Sequence, residues 1–304
     1  MPTVSQYYKI AGPVPFVDVE INFDNRLYVD PHAIRLTQSP PPFARQALDA
    51  TDSFFSEVTN SVISGTPAAH RRGNELLQHF YEPWETRLGM AATGFRGHGG
   101  AAEVGNWIWN TFRDDAEALV RIGALRQIED LPLFVNKVDR DITSDVTTRI
   151  VFHALAQFTA SMIEKYPQFT ADGNIVRAFE KQVWDTDALA WSTATVTLPV
   201  VNGKELLLVP AGWARPTLLL SAGRFYETSV LSYAQLEQAV LSNDGRLLKT
   251  PKDRLKTQSA LARGRGTNTR VTRRAIENEF DLIAHFKAFV AAQLFKLGDG
   301  EAAA

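Results

Sequence analysis

The apolar residues of this chain follow two spacings, and where one gives way to the other marks the predicted elements. In PFVDVEINFDNRLYVDPHAI, Val17, Val19, Ile21 and Phe23 alternate with Asp18, Glu20 and Asn22, the period of two of a half-buried strand. Leu27 to Asp30 follows closely enough to form a hairpin. A two-residue Asp24-Asn25 turn would mix polar with apolar positions on both faces. A three-residue Asp24-Asn25-Arg26 loop sets Phe23 against Leu27 and Ile21 against Val29, and is preferred.

After SPPPF the spacing becomes helical. Ala44, Ala47, Leu48, Phe54, Phe55, Val58 and Val62 predict a long amphipathic helix over about 43–64. Leu76, Leu77, Phe80, Tyr81, Trp84 and Leu88 predict a second helix, and Val104, Trp107, Ile108, Phe112, Leu119 and Ile122 a third. A short strand is expected at Leu133–Val135, then a helix from Ser144 or Asp145 to about Lys165, stopped by Tyr166-Pro167. Val176, Phe179 and Val183 continue at helical spacing after Asp172-Gly173. Asn202-Gly203 between Thr193–Val201 and Lys204–Val209 is a hairpin signal that sets Val196 against Val209 and Leu198 against Leu207, with a bulge or edge at Pro199. Helix returns through Val230, Leu231, Tyr233, Leu236 and Val240, and a last helix is expected at about 272–296.

The pattern predicts an α+β fold, mostly helical with two small antiparallel β-hairpins. Residues 1–130 hold the first hairpin and its helices. Residues 131–298 hold helices around the second hairpin and a basic C-terminal segment, and 299–304 form a disordered tail.

Composition narrows the chemistry. At 45% hydrophobic and 22% charged the chain is of ordinary globular make-up, and the absence of cysteine excludes disulfides and thiolate chemistry. No apolar run reaches the roughly 18 residues of a membrane span, and the first residues lack a signal-peptide layout, so a cytoplasmic protein with no membrane partner is expected. The net charge of −2 conceals an asymmetry: ten Lys and Arg between Asp244 and Arg274, against two acids, give that segment +8 and the remainder −10. Its Lys252, Arg254, Lys256, Arg263, Arg265, Arg270, Arg273 and Arg274 alternate with Thr, Ser, Asn and Gln, side chains that contact phosphate and sugar. Nucleic acid is one expected partner, and the acidic surface of a protein partner or a second copy is the other.

In the preferred register of the first hairpin Glu20 faces Asp30, and Asp18 points toward His32 if pairing extends past Pro31, a clustering of like charges that Mg or Mn would neutralise. Solvation, or Arg26 or Arg35, is the bland alternative. Asp139, Asp141 and Asp145 form a second acidic group that suits either a metal or helix capping. In GFRGHGG, the backbone amides of Gly97, Gly99 and Gly100 before a helix could cradle an anion, but no Gly-Lys-Ser/Thr ending follows. No nucleophile elbow or His-Glu-x-x-His motif is present, so the sequence does not decide whether the protein is an enzyme.

DLPLFVNKVDRDITSDVTTRI, followed by LP-x-x-NGKELLLVPAGW, resembles a motif pair of uncharacterised bacterial proteins from mobile-element and antiphage-defence gene neighbourhoods. The resemblance covers roughly 125–215, with Ala211 where Lys is expected. It implies a context, defence against foreign DNA; joined to the basic segment, the expected function is a nucleic-acid-binding or adaptor component of a bacterial defence or mobile-element system. A metal-dependent nuclease and a structural assembly subunit are the alternatives.

Overall fold

In the computed structural model, which describes residues 2–89, 98–115, 119–120 and 123–301, amphipathic stretches become helices where a cap and an uninterrupted apolar stripe coincide. First come α1 (Val4–Tyr7), β1 (Tyr28–Val29), α2 (Pro31–Thr37), α3 (Phe43–Ser64) and α4 (Pro67–Leu76). They are followed by α5 (His98–Asn110), α6 (Leu131–Phe134), α7 (Arg140–Ile150) and α8 (Phe152–Lys165). Next are β2 (Ile175–Asp185), β3 (Ala190–Val201), β4 (Lys204–Glu205) and β5 (Ala214–Arg215). The remainder is α9 (Ala222–Phe225), α10 (Leu231–Glu237), β6 (Val240–Leu241), β7 (Leu247–Leu248), α11 (Lys252–Lys256), α12 (Arg265–Glu277) and α13 (Leu282–Glu301). The fold is α+β and mostly helical, with small antiparallel sheets.

The long helix α3 forms over the expected residues, burying Ala44, Ala47, Phe54, Phe55, Val58 and Val62 along one face. The helix expected across Leu76–Leu88 does not form, because Pro83 interrupts it; the chain passes instead through 3₁₀ turns at Leu77–His79 and Trp84–Thr86. Helix α4 lies upstream, started by Thr66, whose side chain accepts the Ala69 amide, and by Pro67 in the first turn. Leu133–Val135 is not a strand either: Pro132 opens the short helix α6. Asp139 caps α7 and starts it earlier than expected, and α8 ends at Tyr166-Pro167 as predicted. The last expected helix is divided into α12 and α13 around Glu279, whose φ is 58°. Helix α13 continues to Glu301, into the stretch expected to be disordered, and residues 302–304 lie outside the described residues.

The first hairpin is replaced by a loop organised around Asn25. Its side chain accepts the Glu20 amide and donates to the carbonyls of Glu20, Phe23 and Arg87, satisfying groups that a hairpin would have paired. Ile21 therefore does not face Val29. Instead Val29 pairs with Ala214 and Tyr28 with Arg215, while Val17 donates to the Val209 carbonyl at 2.8 Å.

At the second hairpin the Asn202-Gly203 turn forms, with φ of 52° and 77°, but its ladder is short. Val200 faces Glu205, and the Leu206 amide reaches the Pro199 carbonyl at 2.9 Å. The chain then leaves the sheet, with Leu207 bonded to the Glu85 carbonyl and Leu208 to Thr159 Oγ1, so Val196 does not meet Val209. Strand β3 pairs along its length with β2, setting Val196 against Phe179. The helical spacing of Val176, Phe179 and Val183 was therefore misleading. Phe179, Lys181 and Val183 are alternately less exposed, and a lysine in that row disguises the period of two.

Two cores result. One joins α3–α7 to the C-terminal helices through Phe54, Phe112, Phe134, Phe225 and Phe286. The other packs Val4, Tyr8 and Phe16 with Phe158, Leu198 and Trp213. Each draws residues from both sides of the 130/131 boundary. No helix among the described residues is long and apolar enough to cross a membrane.

Gly105 sets how closely α5 approaches the 3₁₀ turn Leu77–His79. A Cβ there would stand 2.7 Å from the Leu77 carbonyl carbon. Alanine gains about 1 kcal/mol in helix propensity, but overpacking against backbone costs about 1–3 kcal/mol. Gly105→Ala is expected to lower the urea midpoint, and an unchanged or raised midpoint would contradict this approach.

Candidate functional site

The residues expected to form a metal site at the first hairpin are separated. Asp18 accepts hydrogen bonds from Thr3 Oγ1 and from the Ser5 amide and hydroxyl, which ties down α1. Glu20 is exposed. Asp30 is buried as the N-cap of α2, accepting the amides of His32, Ala33 and, at 2.7 Å, Leu219. Burial raises the Asp30 pKa, although these amides and nearby His32 oppose the shift. His32 is buried with Nδ1 3.4 Å from Glu129 Oε1 and no hydrogen-bond partner at Nε2. The metal expectation falls with the register that produced it: no group of three His, Asp or Glu side chains that could hold a metal forms among the described residues.

What the fold builds here is a buried charge network. Glu129 is 1% exposed and receives Arg35 Nε at 2.6 Å. Arg35 also pairs with Asp52 at 2.6 Å, and Lys287 lies 2.7 Å from Asp130 and 3.8 Å from Glu129. Burial would raise the Glu129 pKa, but the His32 contact and the charges of Lys287 and Arg35 outweigh it and lower it to about 2. Asp130 moves the other way, raised by burial. Glu85 anchors a second network, with Arg149 at 3.2 Å and Lys181 at 3.0 Å, and Lys181 also reaches Glu205 at 2.8 Å. Those two cations hold Glu85 below its ordinary pKa despite burial.

In the second acidic group the capping alternative holds for Asp139, whose side chain accepts the Asp141 amide. Asp145 lies half-buried near Glu82 and Val146. Its pKa is raised well above normal, first by burial and then by the charges of Asp141 and Glu82. These aspartates join no metal-holding group among the described residues. Of the glycine loop, Gly97 lies outside the described residues, while Gly99 and Gly100 fall in the first turns of α5.

The basic segment divides by use. Arg274 pairs with Glu237 at 2.8 Å, Arg273 with Glu277 at 3.0 Å and Lys256 with Glu227 at 2.9 Å. Lys252 donates to the Glu227 carbonyl, and Arg265 to the carbonyls of Pro132 and Val138. Arg270 is exposed and bonds Thr267 and the Ala260 carbonyl. Arg254 and Arg263 are exposed and make no ion pair among the described residues. Arg263 lies against Gly223, where a side chain would displace it. Beside it is a groove of about 570 Å³ lined by Arg140, Arg224 and Arg265, with Asp139 as its one acid among the described residues and Thr217 and Ser221 as hydroxyls. Arg140 and Arg224 stand outside the basic segment, and single arginines give no signal in a sequence. The pairing partners Glu129, Asp130 and Glu85 were equally silent.

The lowered Glu129 pKa carries a pH dependence. Relative to about 4.3 in an unfolded chain, a folded value of about 2 gives stability that is present above the unfolded value and lost as pH falls through the folded one. The gap between wild type and Glu129→Gln is expected to be largest near pH 6 and to shrink by about 3 kcal/mol toward pH 2. A gap independent of pH in urea unfolding would contradict the assignment.

Residues 10–221 match a family model described as a domain of unknown function, DUF8370. No curated protein and no solved structure matches the chain. The matched span contains both charge networks except for Lys287, and ends before the basic segment. Because that span is well over half of the sequence, the chain belongs to the DUF8370 family.

Proposed function

We propose that the protein is a nucleic-acid-binding component of a bacterial defence or mobile-element system, acting in the cytoplasm. The observation that carries this reading is the arginine groove flanked by Arg263, which is exposed and without an ion pair among the described residues. Arginines around a groove with hydroxyls match the donors that bind phosphate and sugar. The motif resemblance supports the defence setting. The geometry gives no support to the nuclease alternative, whose two acidic groups do not assemble.

Cations already paired with Glu227, Glu237 and Glu277 have less charge to offer a phosphate, so the phosphate-contacting set contracts around exposed Arg254 and Arg263. Arg254→Ala with Arg263→Ala is expected to weaken binding of unrelated DNA sequences alike and to flatten the slope of log affinity against log salt by about two. Arg273→Ala, which removes a residue paired with Glu277, leaves the slope unchanged. Fluorescence anisotropy on labelled duplexes measures both, and a double variant that binds like wild type would sink the reading.

The β6–β7 hairpin favours an adaptor or assembly role alongside it. Its Val240, Leu241, Leu247 and Leu248 are between 51% and 74% exposed, and a lone two-stranded hairpin is marginal in water. A second copy of this chain fits it best. Two hairpins can pair edge to edge about a twofold axis, and a net charge of −2 repels weakly. Leu241→Asp with Leu247→Asp is expected to convert a dimer to a monomer in light scattering, and a monomeric wild type would refute it.

A further inference from the structure

We propose that the cleft beside Trp84 binds a nucleoside monophosphate. This site is separate from the arginine groove and shares no lining residue with it. The cleft measures about 420 Å³, within the range of small-ligand pockets, and lies between the Asn25 loop, the 3₁₀ turn at Trp84 and the Asn202-Gly203 turn. All its lining residues fall inside the matched family span.

A flat ring is called for by two aromatics left unburied at its wall. Trp84 is 38% exposed and Phe23 51% exposed. Lys181 Nζ lies 5.3 Å from the Trp84 ring centroid and the Arg87 guanidinium 5.6 Å, so the tryptophan is held in place rather than loose on the surface. Exposed aromatics fixed beside cations are the elements of base-stacking sites.

An anion is called for by Arg87. It is 8% exposed, donating from Nε to the Ile21 carbonyl and from Nη1 to the Trp84 carbonyl, while Nη2 makes no hydrogen bond among the described residues. Glu85, Asp24 and Glu205 act on it through their charge alone, and none bonds it. Burial accordingly lowers its pKa. Its Nη2 is not among the buried unsatisfied atoms and keeps contact with solvent at the cleft wall, where an anion's oxygen can take the place of water in a charge-assisted hydrogen bond. Lys204, exposed on the same wall, supplies a second cation.

The remaining lining suits the edge of a base. Asn202 Nδ2 donates to Asn22 Oδ1 at 2.8 Å, which leaves the Asn22 amino group and the Asn202 carbonyl oxygen as a donor and an acceptor facing solvent. Asp24 and Glu82 share the wall, so the cleft is not a general sink for polyanions. A ligand must bring an N–H group to the Asp24 carboxylate and a phosphate to Arg87 and Lys204. A nucleobase bearing a phosphate does both.

Isothermal titration of the full chain with AMP, GMP, CMP and UMP, with the corresponding nucleosides and with inorganic phosphate tests this. At least one monophosphate is expected to bind at least about tenfold more tightly than its nucleoside and than phosphate. Phe23→Ala and Lys204→Ala, both at exposed positions, should each weaken it about tenfold without changing the thermal midpoint. The Arg254→Ala/Arg263→Ala variant should bind the monophosphate like wild type. Absence of binding, phosphate binding as tightly as the nucleotide, or unchanged affinity in both cleft variants would overturn the proposal. Loss in the arginine variant would place the ligand in the groove and overturn it equally.

Discussion

A carboxylate removed from water has to be surrounded by cations, and the buried charge of Glu129 imposes that requirement on distant parts of the chain. Arg35 comes from α2, its second partner Asp52 from α3, and Lys287 from α13. Next to Glu129, Asp130 takes Lys287 directly. Breaking such a set by removing one partner typically costs about 3–5 kcal/mol, because the charges left behind cannot regain water. The set therefore fixes where these helices stand relative to one another more than it adds net stability.

The arginine groove inherits its shape from that arrangement. Asp30, one residue before α2, holds the Leu219 amide, and Leu218, Leu220 and Ser221 form one wall of the groove. Asp130 leads into α6, whose Pro132 carbonyl is bound by Arg265, and both residues line the groove. Arg265 thus serves as a brace while Arg263 stays exposed to solvent. Glu85 plays the corresponding part at the cleft: it immobilises Lys181 beside Trp84, and its carbonyl accepts the Leu207 amide of the segment that leaves the sheet after β4. In both places a buried acid positions exposed cations and aromatics.

Elements with a single dominant signal were legible in the sequence. Helix α3 has an unbroken stripe and the Asn202-Gly203 turn has its own chemistry, so both form where expected. Failures occur where tertiary partners replaced local ones. Lys181 sits in the less exposed row of β2 because Glu85 and Glu205 neutralise it, and a charged residue in that row made a strand look helical. The first hairpin is lost because the Asn25 side chain satisfies the backbone of its own loop and docks it on Arg87. Site residues were harder still. The positive charge of the segment around Arg263 was visible, but which cations are consumed by Glu227, Glu237 and Glu277 depends on helix packing. Trp84 and Arg87 carried no signal beyond a helical spacing that Pro83 forbids.

The account stands on the coupling between Glu129 and the cations that reach it from far along the chain. A double-mutant cycle on Glu129→Gln and Arg35→Met, read by urea unfolding at neutral pH, measures it directly. The network predicts single variants that are each strongly destabilised and a double variant that loses less than their sum, with an interaction of about 1–3 kcal/mol. Effects that add to within about 0.5 kcal/mol would contradict it.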